Sequence, residues 1–446
     1  MALAGLVACI AHAATHLATV HVTIPVACAC AAVATLALSS RTASPRSVPR
    51  ASSRRLSVAA LLVAALALVA AARAVHADRA LREVALGPYA GTARLVEEPV
   101  SMRGAVRVVV SIHGDRFVAT VSGAPANLLR RRALGQVVRL VGERAPLGPR
   151  EAVRWRARHV QGTLRILRVA EEAAVAPPYA RAASRARGLV RDGAAGLAPD
   201  DRALLLALLM GDDHEQPRSM VAAFRGSGLS HLSAVSGQNV AFLLAAAAPL
   251  LRRLAPGARL GATLALLAWF VVVTRIEPSV VRAAAMAALT TVALALGHHP
   301  SALRVLALCV TGVVLADPML VHSVGFALSV AATAGLSVLA APVARRLPGP
   351  RWLASLAAAS IAAQVGVAPV QFAIFGPPPC TALFANVLAV PVASLVMLAG
   401  LPVTLALGIL SPPTVVAHVA LLPLRVGVRW IWWVAELGAA VSTRAC

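Results

Sequence analysis

Long apolar stretches, separated by short basic or Gly/Pro-containing breaks, dominate the pattern of this chain. Three of them open it, over about residues 2–20, 22–39 and 56–77, and about eight more follow residue 235. Several reach or approach the ~20 residues that an α-helix needs to cross a ~30 Å hydrocarbon core. The pattern therefore predicts a polytopic α-helical membrane protein with about 11 spans.

Basic loops between these stretches predict an orientation. Five arginines lie between residues 41 and 55, and further arginines lie at 252–259 and 345–351. Short loops rich in arginine stay in the cytoplasm. An even number of predicted spans separates each of these loops from the next, so all three fall on the same side. The segment that follows the third span is then extracytoplasmic.

A different pattern occupies about residues 85–172, where apolar and polar residues alternate in short runs with turn residues between them, as in β-strands. The five runs are Thr92–Val96, Ala105–Ile112, Arg116–Ser122, Val137–Gly142 and Thr163–Val169. Five short strands in so few residues suit a small OB-like β-barrel. This barrel is the predicted extracytoplasmic domain.

The chain accordingly divides into four parts. We assign 1–80 to N-terminal membrane spans, 81–175 to the extracytoplasmic β domain, 176–234 to an amphipathic linker and 235–446 to a second transmembrane domain. The linker is rich in arginine and then in leucine, a composition that favours a position along the membrane surface.

Composition agrees with membrane embedding and adds a strong positive charge. The 446 residues are 59% hydrophobic and 13% charged, with a mean hydropathy of +0.77, whereas a soluble domain is about half apolar and a quarter charged. The formal net charge is +24, and the sequence contains no lysine. Such a charge indicates anionic partners, namely lipid headgroups or nucleic acid. Positive-inside bias and a base composition that favours arginine codons account for part of it.

The densest polar stretch at a membrane edge is Phe224–Asn239, directly before a predicted span. Its polar residues are Arg225, Ser227, Ser230, His231, Ser233, Ser236, Gln238 and Asn239. Polar groups in a bilayer cost several kcal/mol unless they are paired or hydrated. Two interpretations stay open: a broken or re-entrant segment that lines an aqueous path, and an exposed loop with a helix cap.

The residues of this region give little indication of a catalytic site or a metal site. Ser236 and His231 do not share a helical face well, and no carboxylate lies near them in sequence to orient the histidine. A serine nucleophile needs a positioned base and an oxyanion hole. Gly211–Glu215 contains three carboxylates and a histidine that could bind a divalent cation, but a solvated turn is the simpler interpretation. We therefore expect no catalytic residues, no cofactor and no bound metal.

Arginines elsewhere are candidate contacts for an anion. Arg282 lies near the start of a later predicted span, where it either snorkels to the interface or contacts a phosphate. In the β domain one group of arginines is consecutive, and a second alternates along one face if that stretch is extended. These residues are Arg130, Arg131, Arg132, Arg154, Arg156 and Arg158. Stacking aromatics, which accompany basic grooves for single-stranded nucleic acid, are scarce there, so a solvated face stays open as well.

Motifs in the second half, taken in order, closely resemble the signature of the ComEC family of DNA-uptake proteins. The fragments are Gly211-Asp212, Phe224-Arg225, Gly228–Leu232, Ala234–Gly237, Pro278-Ser279, Arg282-Ala283, Asp317-Pro318, Gly325–Ser329, Pro369, Phe375-Gly376, Asn386 and Pro391. Ordered matches over about residues 200–410 make the resemblance specific, and the N-terminal layout is similar too.

The resemblance implies an inner-membrane channel that passes one strand of incoming DNA into a competent cell. The implied DNA path contains Arg225, Ser230, His231, Ser233, Ser236, Gly237, Gln238, Asn239 and Arg282. Expected partners are single-stranded DNA, membrane lipids, a separate DNA receptor and a cytoplasmic ATPase, because the chain has no G-x-x-x-x-G-K-[ST] nucleotide-binding loop. A gradient is the other candidate energy source, and the oligomeric state stays open.

Two departures from the family pattern limit what is carried over. Gln238-Asn239 stands where members often have Leu-His, and no H-x-H-x-D-H cluster of the metallo-β-lactamase-like domain of many members occurs. Nuclease activity is therefore not expected. The alternatives are a secondary transporter of a small anionic or lipid-like solute and a membrane-embedded hydrolase that uses residues 211–215 and His231.

Overall fold

The structure is a computed structural model, and it describes most of the chain after the first predicted spans. The described residues are Arg73, 76–78, Leu81, 84–102, 104–212, 215–233 and 237–445. The predicted spans over 2–20, 22–39 and most of 56–77 lie outside them. The described residues form two compact units, one with 85–147, 162–295 and 377–445, the other with 148–161, 296–376 and the residues before 85.

Six strands form the β domain. They are β1 (Gly87–Leu95), β2 (Val100–Met102), β3 (Ala105–Ile112), β4 (Asp115–Ser122), β5 (Val137–Pro146) and β6 (Val160–Ala173). Strand β1 pairs with both β5 and β3, and the remaining pairs are β5–β6, β6–β4 and β4–β3, so five strands close into a barrel. Short β2 extends the edge of β3. The five predicted strands and the small barrel are confirmed, and β2 was missed.

The barrel core comes from the inward positions of these alternating strands. Val110, Phe117 and Leu140 are almost fully buried. A Cβ at Gly162 would lie 2.9 Å from the Phe117 ring, so glycine in β6 makes room for this side chain. One helix, α1 (Ala124–Arg130), connects β4 to β5 and packs on β3 and β4.

Nine more helices belong to the same unit as the barrel. They are α3 (Pro178–Gly193), α4 (Pro199–Met210), α5 (Arg218–Gly226), α6 (Ser230–Ser233), α7 (Gly237–Leu251), α8 (Pro256–Val273), α9 (Pro278–Ala295), α13 (Ala382–Leu410) and α14 (Thr414–Ala445). Proline at the first helical position starts several of them, since its missing N–H would be unpaired there anyway.

Helix α4 is the centre of the main apolar cluster. Every residue from Ala203 to Met210 is buried, and α13, α14 and α5 supply most of the side chains around it. A helix that is apolar all round is a buried helix rather than a surface one. This differs from the surface position that the composition of 176–234 favoured.

Helices α3 and α13 approach each other without intervening side chains. A Cβ at Gly193 would lie 1.9 Å from the Thr404 carbonyl oxygen, and one at Gly408 would lie 2.1 Å from that of Leu189. Small residues allow such backbone contact between helices in membranes. Helix α3 is thereby joined to a helix long enough to span.

The second unit contains the remaining helices. They are α2 (Pro149–Trp155), a 3₁₀ turn (Arg156–Arg158), α10 (Ala302–Ala316), a 3₁₀ turn (Pro318–His322), α11 (Val324–Ala344) and α12 (Arg351–Phe375). Gly335 and Gly366 let α11 and α12 meet backbone to backbone. The two 3₁₀ turns are adjacent, and the His159 Nε2 atom lies 2.8 Å from Asp317 Oδ1.

Six described helices are long and apolar enough to cross a membrane. They are α8, α9, α11, α12, α13 and α14 over Thr414–Ser442, and α7 and α10 are shorter apolar helices. The eight stretches predicted after residue 235 thus all form apolar helices, as expected of a helical membrane protein. The total of about 11 spans and the side of the barrel stay predictions.

We expect Gly408→Ala to destabilise the protein, because its methyl group would collide with the Leu189 carbonyl. Overpacking of this kind costs about 1–3 kcal/mol. Thermal unfolding of the purified full-length protein in detergent measures the change. Gly261→Ala in α8 is the matched control, since a Cβ there meets nothing within 4 Å. Equal unfolding midpoints for the two variants would contradict the packing.

Candidate functional site

The polar segment 225–239 interrupts the helices of the first unit. Helix α5 ends at Gly226, and α6 begins at Ser230 after a turn that contains Gly228. Gly228 has a φ of +77°, and a Cβ there would lie 2.6 Å from Ala382 Cβ. Glycine is required on both counts, because L side chains rarely adopt this φ. The chain therefore leaves the helix at Gly228, which agrees with a broken segment and with a capped loop alike.

Apolar anchors hold this segment, and polar side chains project from it. Leu229 and Leu232 are buried in the cluster around α4, whereas Arg225, Ser230 and His231 are exposed. The exposed side chains therefore belong to a segment that is fixed rather than loosely attached.

Local hydrogen bonds shape the short helix α6. Ser233 Oγ donates to the Ser230 carbonyl at 3.0 Å, and the His231 Nδ1 atom lies 3.3 Å from the Gly228 carbonyl. Surrounding protein desolvates the imidazole, although part of it stays exposed, and this lowers the pKa of His231 against a smaller opposing effect of the Gly228 carbonyl.

The end of the segment meets α9 and α4. A Cβ at Gly237 would lie 3.4 Å from Arg282 Nη2, so the guanidinium packs against the start of α7. Arg282 is buried, and its Nη1 atom contacts Met286 Sδ at 3.2 Å. Buried Asn239 donates from Nδ2 to the Leu208 carbonyl at 2.9 Å. The structure thus brings Gly237 and Arg282 together and assigns Asn239 to the packing of α4.

The predicted path also includes Gln238 and Ser236. Gln238 is exposed, and Ser236 lies outside the described residues. A buried Arg282 excludes the simple snorkelling interpretation, because its head group lies within the protein rather than at an interface.

A family model described as Competence protein matches residues 208–445 of this chain, from the end of α4 to the end of α14. The chain belongs to the competence protein family. The ComEC-type resemblance of the motifs is confirmed at this level. No curated protein and no solved structure matches the chain significantly.

A buried ion network in this competence protein joins the barrel to the helices. Glu98, in the loop between β1 and β2, accepts hydrogen bonds from Arg187 in α3, from Ser184 Oγ at 3.3 Å and from Arg275 Nε at 3.3 Å. Arg187 is buried, and only a small part of the Glu98 side chain is exposed. One carboxylate therefore connects the barrel, α3 and the turn between α8 and α9.

A second carboxylate extends this network to the end of α4. Asp212 pairs with Arg191, and its Oδ1 atom lies 3.6 Å from Arg275 Nη2. Asp212 is buried, so for this residue the interpretation of 211–215 as a solvated turn was wrong. Asp213 and His214 lie outside the described residues, and exposed Glu215 pairs with Arg202 at 3.4 Å.

Burial changes the electrostatics of Arg187. Desolvation and then the nearby positive charges of Arg275 and Arg191 lower the pKa of Arg187 to about 10, against the opposing charge of Asp212. The guanidinium still carries its charge at neutral pH and donates from Nη1 to the Val273 carbonyl at 2.9 Å. Leaving such a buried charge without its carboxylate is costly.

The turn that Arg275 occupies is strained. Arg275 and Ile276 both have positive φ, 62° and 57°, a conformation that is uncommon for non-glycine residues and an outlier for β-branched ones. Helix α9 begins two residues later and contains Arg282. The network therefore holds the start of the helix that reaches the polar segment.

The arginines predicted as external contacts fall in two different places. Arg130 and Arg131 are exposed at the end of α1, and Arg132 is partly buried. The second group is helical rather than extended: Arg154 lies in the last turn of α2, Arg156 pairs with Asp78, and Arg158 lies 5.6 Å from the Trp155 ring centroid. The condition under which these arginines would alternate along one face is therefore not met.

Removing the Glu98 carboxylate should destabilise the full-length protein by about 3 kcal/mol, the lower end of the cost of breaking a buried ion pair. Thermal unfolding of Glu98→Ala measures this. Glu143→Ala, at an exposed position of β5, is the control. The double variant Glu98→Met, Arg187→Met should recover part of the loss, because the Arg187 charge is removed together with its carboxylate and Arg275 keeps Asp212 as a partner. A double variant that is no more stable than Glu98→Ala would refute the coupling.

Proposed function

We propose that this competence-family protein conducts a single DNA strand through the cytoplasmic membrane during natural transformation. Membership in the competence family carries the proposal. The helical membrane architecture, the interrupted segment 225–239 and the buried Arg282 against Gly237 support it, since polar groups and irregular backbone at membrane depth belong beside water or within protein.

In this proposal the barrel is the extracytoplasmic entry domain. Its exposed arginines at the end of α1 attract phosphates, and counterion release from the strand drives the association. The strand then passes the polar segment, where exposed Arg225, Ser230 and His231 offer a positive charge and hydrogen-bonding groups. Weak contacts suit this task, because conduction requires both entry and release.

The chain acts as a conduit without a catalytic step of its own. A cytoplasmic ATPase or a gradient supplies the energy for movement, and a separate receptor delivers the DNA. Membrane lipids surround the apolar helices.

Deletion of the gene in a transformable strain that carries it should abolish natural transformation. The number of transformants per viable cell is the measurement, and a plasmid-borne copy should restore it. Normal transformation in the deletion strain would refute the proposal. A change in envelope lipids or solute uptake with intact transformation would favour a transporter instead.

Reversing the charge of Arg130, Arg131 and Arg132 to Glu should weaken binding of single-stranded DNA by the purified full-length protein. Each lost phosphate contact reduces the salt slope by about 0.7, so three contacts reduce it by about 2. The matched control reverses Arg345, Arg346 and Arg351, on a loop predicted to be cytoplasmic. Unchanged affinity and slope in the first variant would exclude α1 from the path.

A further inference from the structure

Helix α14 carries a polar stripe on its exposed side, where a membrane-spanning helix normally has apolar side chains. His418, Arg425, Arg429 and Glu436 follow one another at spacings of seven, four and seven residues, which places them on one face of a helix. All four side chains are exposed, the two arginines by about half. The stripe therefore runs along most of this helix.

The arginines lie near the middle of the membrane helix pair. Helices α13 and α14 pack antiparallel: the start of α13 meets α14 at Gly438, where Thr381 Oγ1 donates to its carbonyl at 3.0 Å. Near the centre of α13, Val396 packs against Gly427. Arg425 and Arg429 flank Gly427, so they lie at the depth of the middle of α13.

A buried carboxylate holds both guanidinium groups. Asp201, at the start of α4, has a side chain with no exposed surface. Its oxygens lie 2.5 Å from Arg429 Nε and 3.7 Å from Arg425 Nε. Both guanidinium groups are nevertheless about half exposed, and that of Arg429 also lies 5.9 Å from the Trp432 ring centroid.

Contact between this polar face and lipid tails is energetically unfavourable. An arginine at the centre of a bilayer costs about 2.5–3.5 kcal/mol even on insertion scales. The same helix offers lipid a separate apolar face, on which Val419, Val426 and Leu437 are exposed. Each of these residues directly follows a stripe residue and points about 100° away from it. The stripe itself needs water or an anion.

We propose that the stripe of α14, centred on Arg425 and Arg429 and held by Asp201, lines a water-filled path that takes up the phosphates of a single DNA strand. This rests on the function proposed above and adds a path that lies beyond segment 225–239. Trp433 is half exposed on the edge of the stripe and lies 5.4 Å from Trp430, centroid to centroid. Arginine beside an exposed aromatic ring is the combination that binds phosphate and stacks bases in single-strand grooves.

The carboxylates keep this site from holding the strand too tightly. Asp201 neutralises one of the two arginine charges, and Glu436 adds a negative charge two turns further along. A path that conducts needs sites weak enough to leave. The strand is therefore attracted at Arg425 and Arg429 and released beyond them.

Cysteine accessibility tests the path in the full-length chain. Three pairs of single cysteine variants, in a background without native cysteines, compare a stripe residue with its neighbour at the same depth. They are His418→Cys with Val419→Cys, Arg425→Cys with Val426→Cys and Glu436→Cys with Leu437→Cys. Arg429 stays in place in all of them, so Asp201 keeps its closer partner.

A charged, membrane-impermeant thiol reagent should modify the stripe member of each pair at least about tenfold faster, because the reactive thiolate forms only in water. An excess of single-stranded oligonucleotide should then slow modification at Arg425→Cys. Equal rates for Arg425→Cys and Val426→Cys overturn the water-filled path. Disulfide-linked dimers through Arg425→Cys overturn it too, since a second copy would then cover the stripe.

If the stripe cysteines react quickly and the oligonucleotide does not slow their modification, DNA is not what occupies the stripe. That outcome is separate from a failure of the proposed function, which the transformation assay decides. If transformation requires the gene while Arg425→Cys stays unprotected, the strand takes another route through the protein.

Discussion

The structure depends on one constraint: a charged side chain that is buried among apolar helices needs a partner of opposite charge. Helix α4 is buried by α13, α14 and α5, and acidic residues lie at both of its ends. Asp201 at its start meets arginines of α14, and Asp212 just beyond its end meets Arg191 and Arg275. Because an unpaired buried charge is strongly destabilising, these pairs determine where α4 lies.

The same constraint connects the two kinds of architecture in this unit. The barrel has its own apolar core, and Glu98 in its first loop pairs with Arg187 and Arg275 of the helices. The turn at Arg275 precedes α9, and α9 brings Arg282 against Gly237. The barrel and the polar segment are thus linked by consecutive contacts rather than by a flexible tether.

Much of the architecture could be predicted from the sequence because two of its signals are local. Run length indicates apolar helices, and alternation indicates strands, so the helices after residue 235 and the five barrel strands follow from neighbouring residues. The helix α2 also had a local signal that was missed: Gly148 followed by Pro149 and Glu151 is typical of a helix start.

The pairings that build the site could not be predicted in this way. Glu98 and Arg275 are 177 residues apart, and no periodicity relates them. The leucine-rich sequence of α4 fits a helix on the membrane surface as well as a helix within a bundle, because composition does not show how many faces of the helix other elements cover. The arginines of α14 did have a signal, since their spacing of four on an apolar helix places them on one face.

The backbone contact between α3 and α13 limits how the bundle can move. Where Gly193 and Gly408 allow carbonyl groups to touch the opposite helix, no side chain lies between the helices to change rotamer and absorb a displacement. Sliding by one residue would bring a side chain against the facing backbone. This pair is therefore locked in register, so a displacement of α13 along its own axis has to carry α3 with it.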